Sequence, residues 1–574
     1  MAKRRAPPRR SLKSVSPPTS QDLLRDETGN LSTAGGSLAI ALAYPSSYAV
    51  GMSSLGFHMV RQQILRSGLA RVERFFSEPT GARSLETDRP AGDFDLLAFS
   101  VAFELDYLHV LEFLEAAGLP AFAARRPVSA PLVVVGGIAV SVNRHPIYPF
   151  ADLLVHGSSE GALGPLLEAC ERHAGFRGAA APRAALLSDL AGIPGVEVTA
   201  GARQAVGADA PEDAGEVDGR AVFAAQEDGA APTLGPWPAC SPELDKQIEE
   251  GNVEVGLRLP APPEHASRHG VAAEGMAVSH LVTPRAELGR RVLLELARGC
   301  PHACAFCWVG HNCGRFAPRP ASEILASWQE ASEITDCRSV GLISSAVGAH
   351  PDADGICEEL LRRGAPMAFS SLRADEIRPV MLEALVRGGQ CGLTLAPETG
   401  DEGLRRRVGK GIPDDVFFDA IDRAQRAGLQ DLKLYFMTGL PGETEDQADR
   451  IAAFADRARG ILQTHGRGRG RLGRLSINLG VYVPKPNTPL ARRELPPFDV
   501  VRKRVARLAR ALAGLPNVNV APSSADLAVA QRILSMGGFE SAAFLHEVWR
   551  SGGQWRPVVR RIVRERKMRG RLLR

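Results

Sequence analysis

Between residues 289 and 497, short apolar runs alternate with stretches of helical periodicity six times over, and this alternation limits the fold more than any other feature of the chain. Strands are predicted at 292–297, 339–344, 367–372, 392–396, 431–437 and 475–483. Helices are predicted between them at 321–334, 354–363, 375–387, 414–427 and 444–459. Each helix carries the chain back to the edge it left, so the strands run parallel, and right-handed crossovers curl such units toward a partial (β/α)6 barrel of TIM type. All the strand C-termini then share one face. Directly after the first run comes Arg298-Gly299-Cys300-Pro301-His302-Ala303-Cys304-Ala305-Phe306-Cys307-Trp308, which puts three cysteines at C-x3-C-x2-C spacing on that face.

Three thiolates on one short loop can ligate three irons of a [4Fe-4S] cluster; with no fourth cysteine at suitable spacing, one iron stays open to a non-protein ligand. A ferredoxin would close its cluster with a fourth thiolate. A zinc site would normally show two C-x2-C pairs or Cys/His pairs, and here Cys313 is the only extra cysteine nearby. The spacing, the aromatic Phe306 before the third cysteine and the Arg-Gly lead-in together resemble the radical SAM superfamily. That resemblance implies that Cys300, Cys304 and Cys307 hold the cluster and that S-adenosylmethionine (SAM) chelates the open iron through its amino and carboxylate groups.

The other strand ends carry polar groups suited to such a ligand. Ser344 and Ser345 follow the second strand, Ser371 and Arg373 the third, and Glu398 lies in Leu395-Ala-Pro-Glu-Thr-Gly400 after the fourth. Gly439, in Gly439-Leu-Pro-Gly-Glu-Thr444, follows the fifth. An arginine suits the SAM carboxylate, serines or a carboxylate suit its ammonium and ribose diol, and a glycine turn lets the backbone approach the base. With Phe306, these make the expected SAM site. Each also has an ordinary structural reading, Glu398 as a helix cap and Gly439 as a turn. The stretches at 396–400, 435–444 and 483–489 are similar to the radical SAM subgroup that includes methylthiotransferases and uncharacterised relatives. The similarity extends over residues 37–550. Its implied chemistry is reductive cleavage of SAM to methionine and a 5′-deoxyadenosyl radical, fed by an external one-electron donor of flavodoxin or ferredoxin type. No residue is assigned as catalytic on the substrate, whose identity is unknown. RNA modification, cobalamin-dependent methylation and a non-enzymatic iron-sulfur sensor stand as alternatives. Sulfur insertion would need a second cluster, and the cysteines outside the loop (Cys170, Cys240, Cys313, Cys337, Cys357 and Cys391) show no grouping of three.

Ahead of this core, residues 37–200 repeat short apolar runs at 38–43, 96–101, 132–135 and 153–155, the pattern of a doubly wound, Rossmann-like α/β domain. Ligand loops are expected at 45–56, 100–107, 136–137 and 157–161. An α/β module in this place resembles a cobalamin-binding domain, with Gly136 and Gly137 where such domains touch the cofactor. The loop after the first run has no histidine to ligate cobalt, and His58 falls on the following helix. That loop resembles instead the N-terminal domain of an uncharacterised radical SAM family.

The remaining segments carry no predicted site. Residues 1–36 read as a disordered tail, 201–288 as a linker or bridge, and 498–574 as amphipathic helices with a basic end. Residues 1–20 hold six Lys/Arg and no acid, and 556–574 hold nine against Glu565 alone. These ends read as solvated surface or as a site for RNA. With 69 basic against 65 acidic residues there is no global field for a polyanion. Lys485, flanked by prolines, could close the barrel or face a substrate. No apolar run is long enough for a membrane span, so a cytoplasmic protein is expected.

Overall fold

The computed structural model describes residues 18–33, 35–207 and 275–568. The expectations for 1–17, for 208–274 and for the basic end past 568 lie outside these residues. The chain opens with a short helix, Ser20–Arg25, and a two-residue strand β1 (Thr28–Gly29). Strands β2 (Leu38–Ser47), β3 (Ala70–Glu78), β4 (Leu96–Ser100), β5 (Leu132–Gly136), β6 (Leu153–Val155) and β7 (Val196–Val198) then form one sheet in the order β3-β2-β4-β5-β6-β7. Five strands are parallel and β7 is antiparallel on the edge. The doubly wound domain is therefore present, with its switch point where the chain leaves β3 and returns to β4 on the other side of β2.

This sheet is buried on both faces, and β2 is accordingly apolar without alternation, as a parallel strand covered on both sides must be. One face packs against helices Leu55–Ser67, Leu163–Arg172 and Ala180–Ala191. The other packs against Tyr107–Ala116 and against three helices from the far end of the chain, Ala525–Met536, Glu540–Arg550 and Trp555–Met568. Leu534, Leu545, Val548 and Val559 are fully buried in that joint core. The C-terminal helices are thus a layer of the N-terminal domain, which amphipathic periodicity alone could not show.

Two further expectations are corrected. Residues 20–33 are ordered, because Leu23 is buried and Glu27 receives two hydrogen bonds from Arg74, each 2.7 Å, inside the domain. Strand β3 was not predicted, since Arg71, Glu73 and Arg74 interrupt its apolar residues; Arg74 is buried between Glu27 and Glu86, which makes the interruption compatible with a covered strand. Near the end of the linker segment, β8 (Leu281–Val282) pairs with β1, and Val278 bridges Leu294. The β1–β8 pair is a small antiparallel sheet of its own, and the Val278 bridge ties the end of this segment to β9.

The second half contains β9 (Val292–Glu295), β10 (Ala297–Arg298) and β11 (Ala317–Pro318), followed by β12 (Val340–Ile343), β13 (Met367–Phe369), β14 (Gly392–Glu398), β15 (Asp431–Thr438), β16 (Leu475–Val481) and β17 (Val518–Pro522). Parallel sheets β9-β12-β13 and β14-β15-β16-β17 follow chain order, as in a partial barrel. The six predicted strands are all there. A seventh, β17, comes from the segment expected to be only helical.

In the four-stranded sheet the burial alternates. Leu393, Leu395, Leu432, Leu434, Phe436, Leu475, Ile477 and Leu479 pack against the surrounding helices. The opposite face is polar: Thr394, Lys433, Ser476 and Asn519 stand in one row across all four strands, and Tyr435 pairs with Asn478 in the next. Thr394 and Asn519 are exposed, and Tyr435 is 36% exposed with the Lys433 ammonium 4.9 Å from its ring centroid. A filled TIM barrel presents bulky branched side chains on this inner face. Here it is open.

Candidate active site

The cysteine loop leaves β9 through a short ribbon in which β10 pairs with β11. Gly299 takes a left-handed φ of +72°, and an added Cβ would come within 3.0 Å of the Arg315 carbonyl. The loop is laced to its surroundings through the backbone. The Ala305 N–H donates to the Val408 carbonyl at 2.8 Å, the Leu490 N–H donates to the Ala305 carbonyl at 3.2 Å, and the Cys307 N–H donates to the Cys304 carbonyl at 3.0 Å. Gly409, at φ +75°, packs so closely that a Cβ there would lie 2.7 Å from the Ala303 carbonyl and 3.3 Å from the Cys304 Cα.

Cys304 is buried, and Cys300 and Cys307 are half-buried. Burial pushes the Cys304 thiol up, while the cations of Lys410 and Arg373 pull it back. Burial also raises Cys300, against the backbone of His302. Cys313 stands within electrostatic reach of Cys307 and Cys300, and burial pushes its thiol to about 11. Among the described residues, no group of three His, Cys, Asp or Glu side chains is gathered to hold a single metal ion.

The strand ends bring part of the predicted SAM site to this loop. Arg373 donates to both oxygens of Asp375, at 3.1 and 2.9 Å, and lies 3.6 Å from Glu376. The other contact of Glu376 is the ring of His302, at 2.6 Å, so the end of β13 is tied to the cysteine loop. Glu398 adopts a left-handed φ of +67° after a bulge in β14, and Lys410 donates to its carboxylate at 2.8 Å. Ser344 is buried, its hydroxyl accepting from the Ala346 N–H at 3.2 Å within a turn, whereas Ser345 and Ser371 are exposed. Phe306 is partly buried and packs against Leu404, Val408, Leu440 and Tyr482. The Gly439 N–H donates to Glu443 at 2.6 Å, and Glu443 is also bound by Thr438 and Arg504, so this turn is closed on itself.

Sequence reasoning missed three parts of the site. One is the segment Val408-Gly409-Lys410, whose only signal was a lysine between glycines. The second is the His302–Glu376 contact. The third joins the two halves of the molecule: Arg298 donates to both oxygens of Glu160, at 2.6 and 2.5 Å, and to Glu295 at 2.6 Å. Glu160 belongs to the predicted 157–161 loop. Lys485 is also accounted for, since it pairs with buried Glu104 and hydrogen-bonds Ser535 at 3.1 Å, pinning the barrel end to the N-terminal domain.

Behind the 157–161 loop is a cavity of about 160 Å³ with a mainly aliphatic lining that includes Leu42, Ala98, Val134, Val155 and Leu163. Gly136 and Gly137 are at its rim. Gly137, at φ +107°, is required by packing, because a Cβ would lie 2.3 Å from the Val101 carbonyl. His58, on the helix Leu55–Ser67, is buried with its ring 3.0 Å from the Met52 carbonyl.

Family models match two parts of the chain: "Radical SAM proteins, N-terminal" over residues 71–198 and "Radical SAM superfamily" over residues 294–455. An uncharacterized protein of Methanocaldococcus jannaschii is 27% identical over 259 residues, 45% of this chain and 54% of its own. A tRNA-2-methylthio-N(6)-dimethylallyladenosine synthase of Anaeromyxobacter sp. (strain K) is 29% identical over 275 residues, 45% of this chain and 56% of its own. The chain thus spans about half the length of the curated relatives it matches. Among solved structures, the radical SAM methyltransferase TsrM from Kitasatospora setae, with cobalamin and a [4Fe-4S] cluster bound, aligns with 92% of this chain and 100% of its own at 14% identity and a TM-score of 0.44.

Proposed function

Because the chain belongs to the radical SAM superfamily, we propose that Cys300, Cys304 and Cys307 hold one [4Fe-4S] cluster and that the strand ends around them hold SAM. The residues fit that pair. Three thiols share one loop, two cations stand beside Cys304, and the buried Tyr482 hydroxyl and Glu376 Oε2 near the loop have no hydrogen-bond partner among the described residues. Bound there, cluster and SAM would supply a 5′-deoxyadenosyl radical able to take a hydrogen atom from a substrate. The protein's part is to fix the loop through Val408, Gly409 and Leu490, to balance negative charge with Lys410 and Arg373, and to leave the polar inner face of β14–β17 open to a substrate. The electron comes from a flavodoxin- or ferredoxin-type donor. RNA is one candidate substrate. No helix among the described residues is long and apolar enough to cross a membrane.

The observation that carries this reading is the three-thiol loop at the C-terminal ends of the parallel strands, and Cys304→Ala tests it. A methyl group cannot ligate iron, so the variant should lose cluster absorption and SAM cleavage together. A variant that kept both would overturn the assignment.

One observation favours a cobalamin-dependent reaction as a second reading. The aliphatic cavity at the switch-point end of the N-terminal sheet suits a flat apolar group such as a nucleotide base, and its rim loop is bound to Arg298, two residues before Cys300. Ala98→Phe would fill the cavity. Wild-type protein should then retain added cobalamin through gel filtration and the variant should lose it, both with the cluster intact. Equal retention, or none in either, would remove the reading.

A further inference from the structure

Lys433 lies inside β15 on the open face of the four-stranded sheet, in one row with Thr394, Ser476 and Asn519. Its ammonium stands 4.9 Å from the centroid of the Tyr435 ring. Among the described residues no carboxylate pairs with it, and the side chains of Thr394, Ser476 and Asn519 make no hydrogen bonds either. The other two cations named above are engaged, Lys410 by Glu398 and Arg373 by Asp375. Lysine is disfavoured in strands, and the inner face of a filled barrel has no place for one. An ammonium, two hydroxyls and an amide in one row are instead a set of donors for the oxygens of an anion.

The direction of the side chain is fixed as well. Tyr435 is two residues nearer the C-terminal end of β15, so the lysine stem runs up the strand toward the cysteine loop. Next in the same column is Met437, which packs with Phe306 against the small core beside that loop. Lys433 and Met437 are separated by about 13 Å of strand, and the stem, ending over Tyr435, covers about half of it.

Resting on the radical SAM reading, we propose that the substrate carries an anionic group, a phosphate or a carboxylate, and that Lys433 is the residue that selects it. Thr394, Ser476 and Asn519 donate to the remaining oxygens, and the Tyr435 ring steadies the ammonium. The anion then sits about 7 Å of strand below Met437, remote from the atom that reacts. Its binding fixes the position of the rest of the substrate.

The chain has eight lysines, so full-length protein labelled at lysine Cε gives few enough NMR signals to follow Lys433. The variant K433M identifies that signal, which the Tyr435 ring displaces upfield. Inorganic phosphate and acetate are titrated separately at constant ionic strength. The Lys433 signal should move to saturation with at least one of them, and the anion that saturates it tells a phosphate site from a carboxylate site. The double variant T394V/N519L should weaken that binding about threefold or more. A Lys433 signal that saturates with neither anion, or an unchanged affinity in the double variant, would mean a solvated charge and overturn the proposal. In reconstituted protein the same anion should leave SAM affinity unchanged; competition would assign the row to SAM and also overturn it. The lysine signals need neither cluster nor SAM, so failure of the radical SAM reading shows separately, as wild-type protein that yields no 5′-deoxyadenosine.

Discussion

Two parallel sheets of this chain use the same strand–helix units and end up in opposite environments. The N-terminal sheet is covered on both faces, and its second cover comes from helices that begin more than three hundred residues later, at Ala525. The sheet β14–β17 is covered on one face and leaves Thr394, Lys433, Tyr435, Ser476 and Asn478 on the other. The first arrangement encloses a small aliphatic cavity. The second leaves a polar wall below the cysteine loop. Burial on both sides makes a frame, and the half-open sheet keeps room for a reaction.

The largest effect that could break this comparison is on folding. Leu545 is fully buried between the C-terminal helices and the N-terminal sheet, so Leu545→Asp should cost about 3 kcal/mol or more, through lost packing and a buried charge. Asn478→Asp, on the open face, should change stability by about 0.5 kcal/mol or less. Denaturant unfolding checks both, and a tolerated aspartate at 545 would mean that the helices only rest on the domain.

A smaller effect comes from acid. Burial lowers His58, His145 and His546 from 6.5 to about 4, with Arg61 and Arg74 adding to the effect at His58, Arg144 at His145, and Arg550 and Arg125 at His546. All three belong to the N-terminal sheet and its helical cover. A folded-state value below the unfolded one gives stability that is complete above pH 6.5 and lost as pH falls toward 4. His109, raised by Asp106 near the surface, acts in the opposite sense. Amide protection factors, taken relative to the intrinsic exchange rate at each pH, should therefore fall at 38–47 across that window before they fall at 431–438. The reverse order would contradict the placement of these histidines.

The barrel strands were legible because apolar runs of five to nine residues alternated with long amphipathic stretches, and the cysteine loop was legible from its spacing. What stayed hidden depends on partners far away in sequence. Strand β3 looks polar until Glu27 and Glu86 are seen to neutralise Arg74. The helices after Ala525 showed an apolar stripe, but a stripe does not say which sheet it covers. Arg373 and Glu398 could be read from the sequence as strand-end polar residues because they fall just after predicted strands. Lys410 escaped because it sits beyond a short helix, Glu402–Arg407, and reaches the loop only through tertiary packing. Gly137 was read as a place for a cofactor to approach, and the neighbour that needs its missing side chain is the Val101 backbone.

The most direct test of the account is to measure iron, sulfide and 5′-deoxyadenosine in anaerobically reconstituted protein given SAM and a strong reductant. Wild-type protein should hold about four irons and four sulfides per chain and release 5′-deoxyadenosine. Cys313→Ala should do the same, because Cys313 stands beside the loop without closing the cluster, and Cys304→Ala should do neither. A full cluster with no 5′-deoxyadenosine, or a Cys313→Ala protein that loses its cluster, would mean that the fourth iron is not open to SAM and would contradict the account.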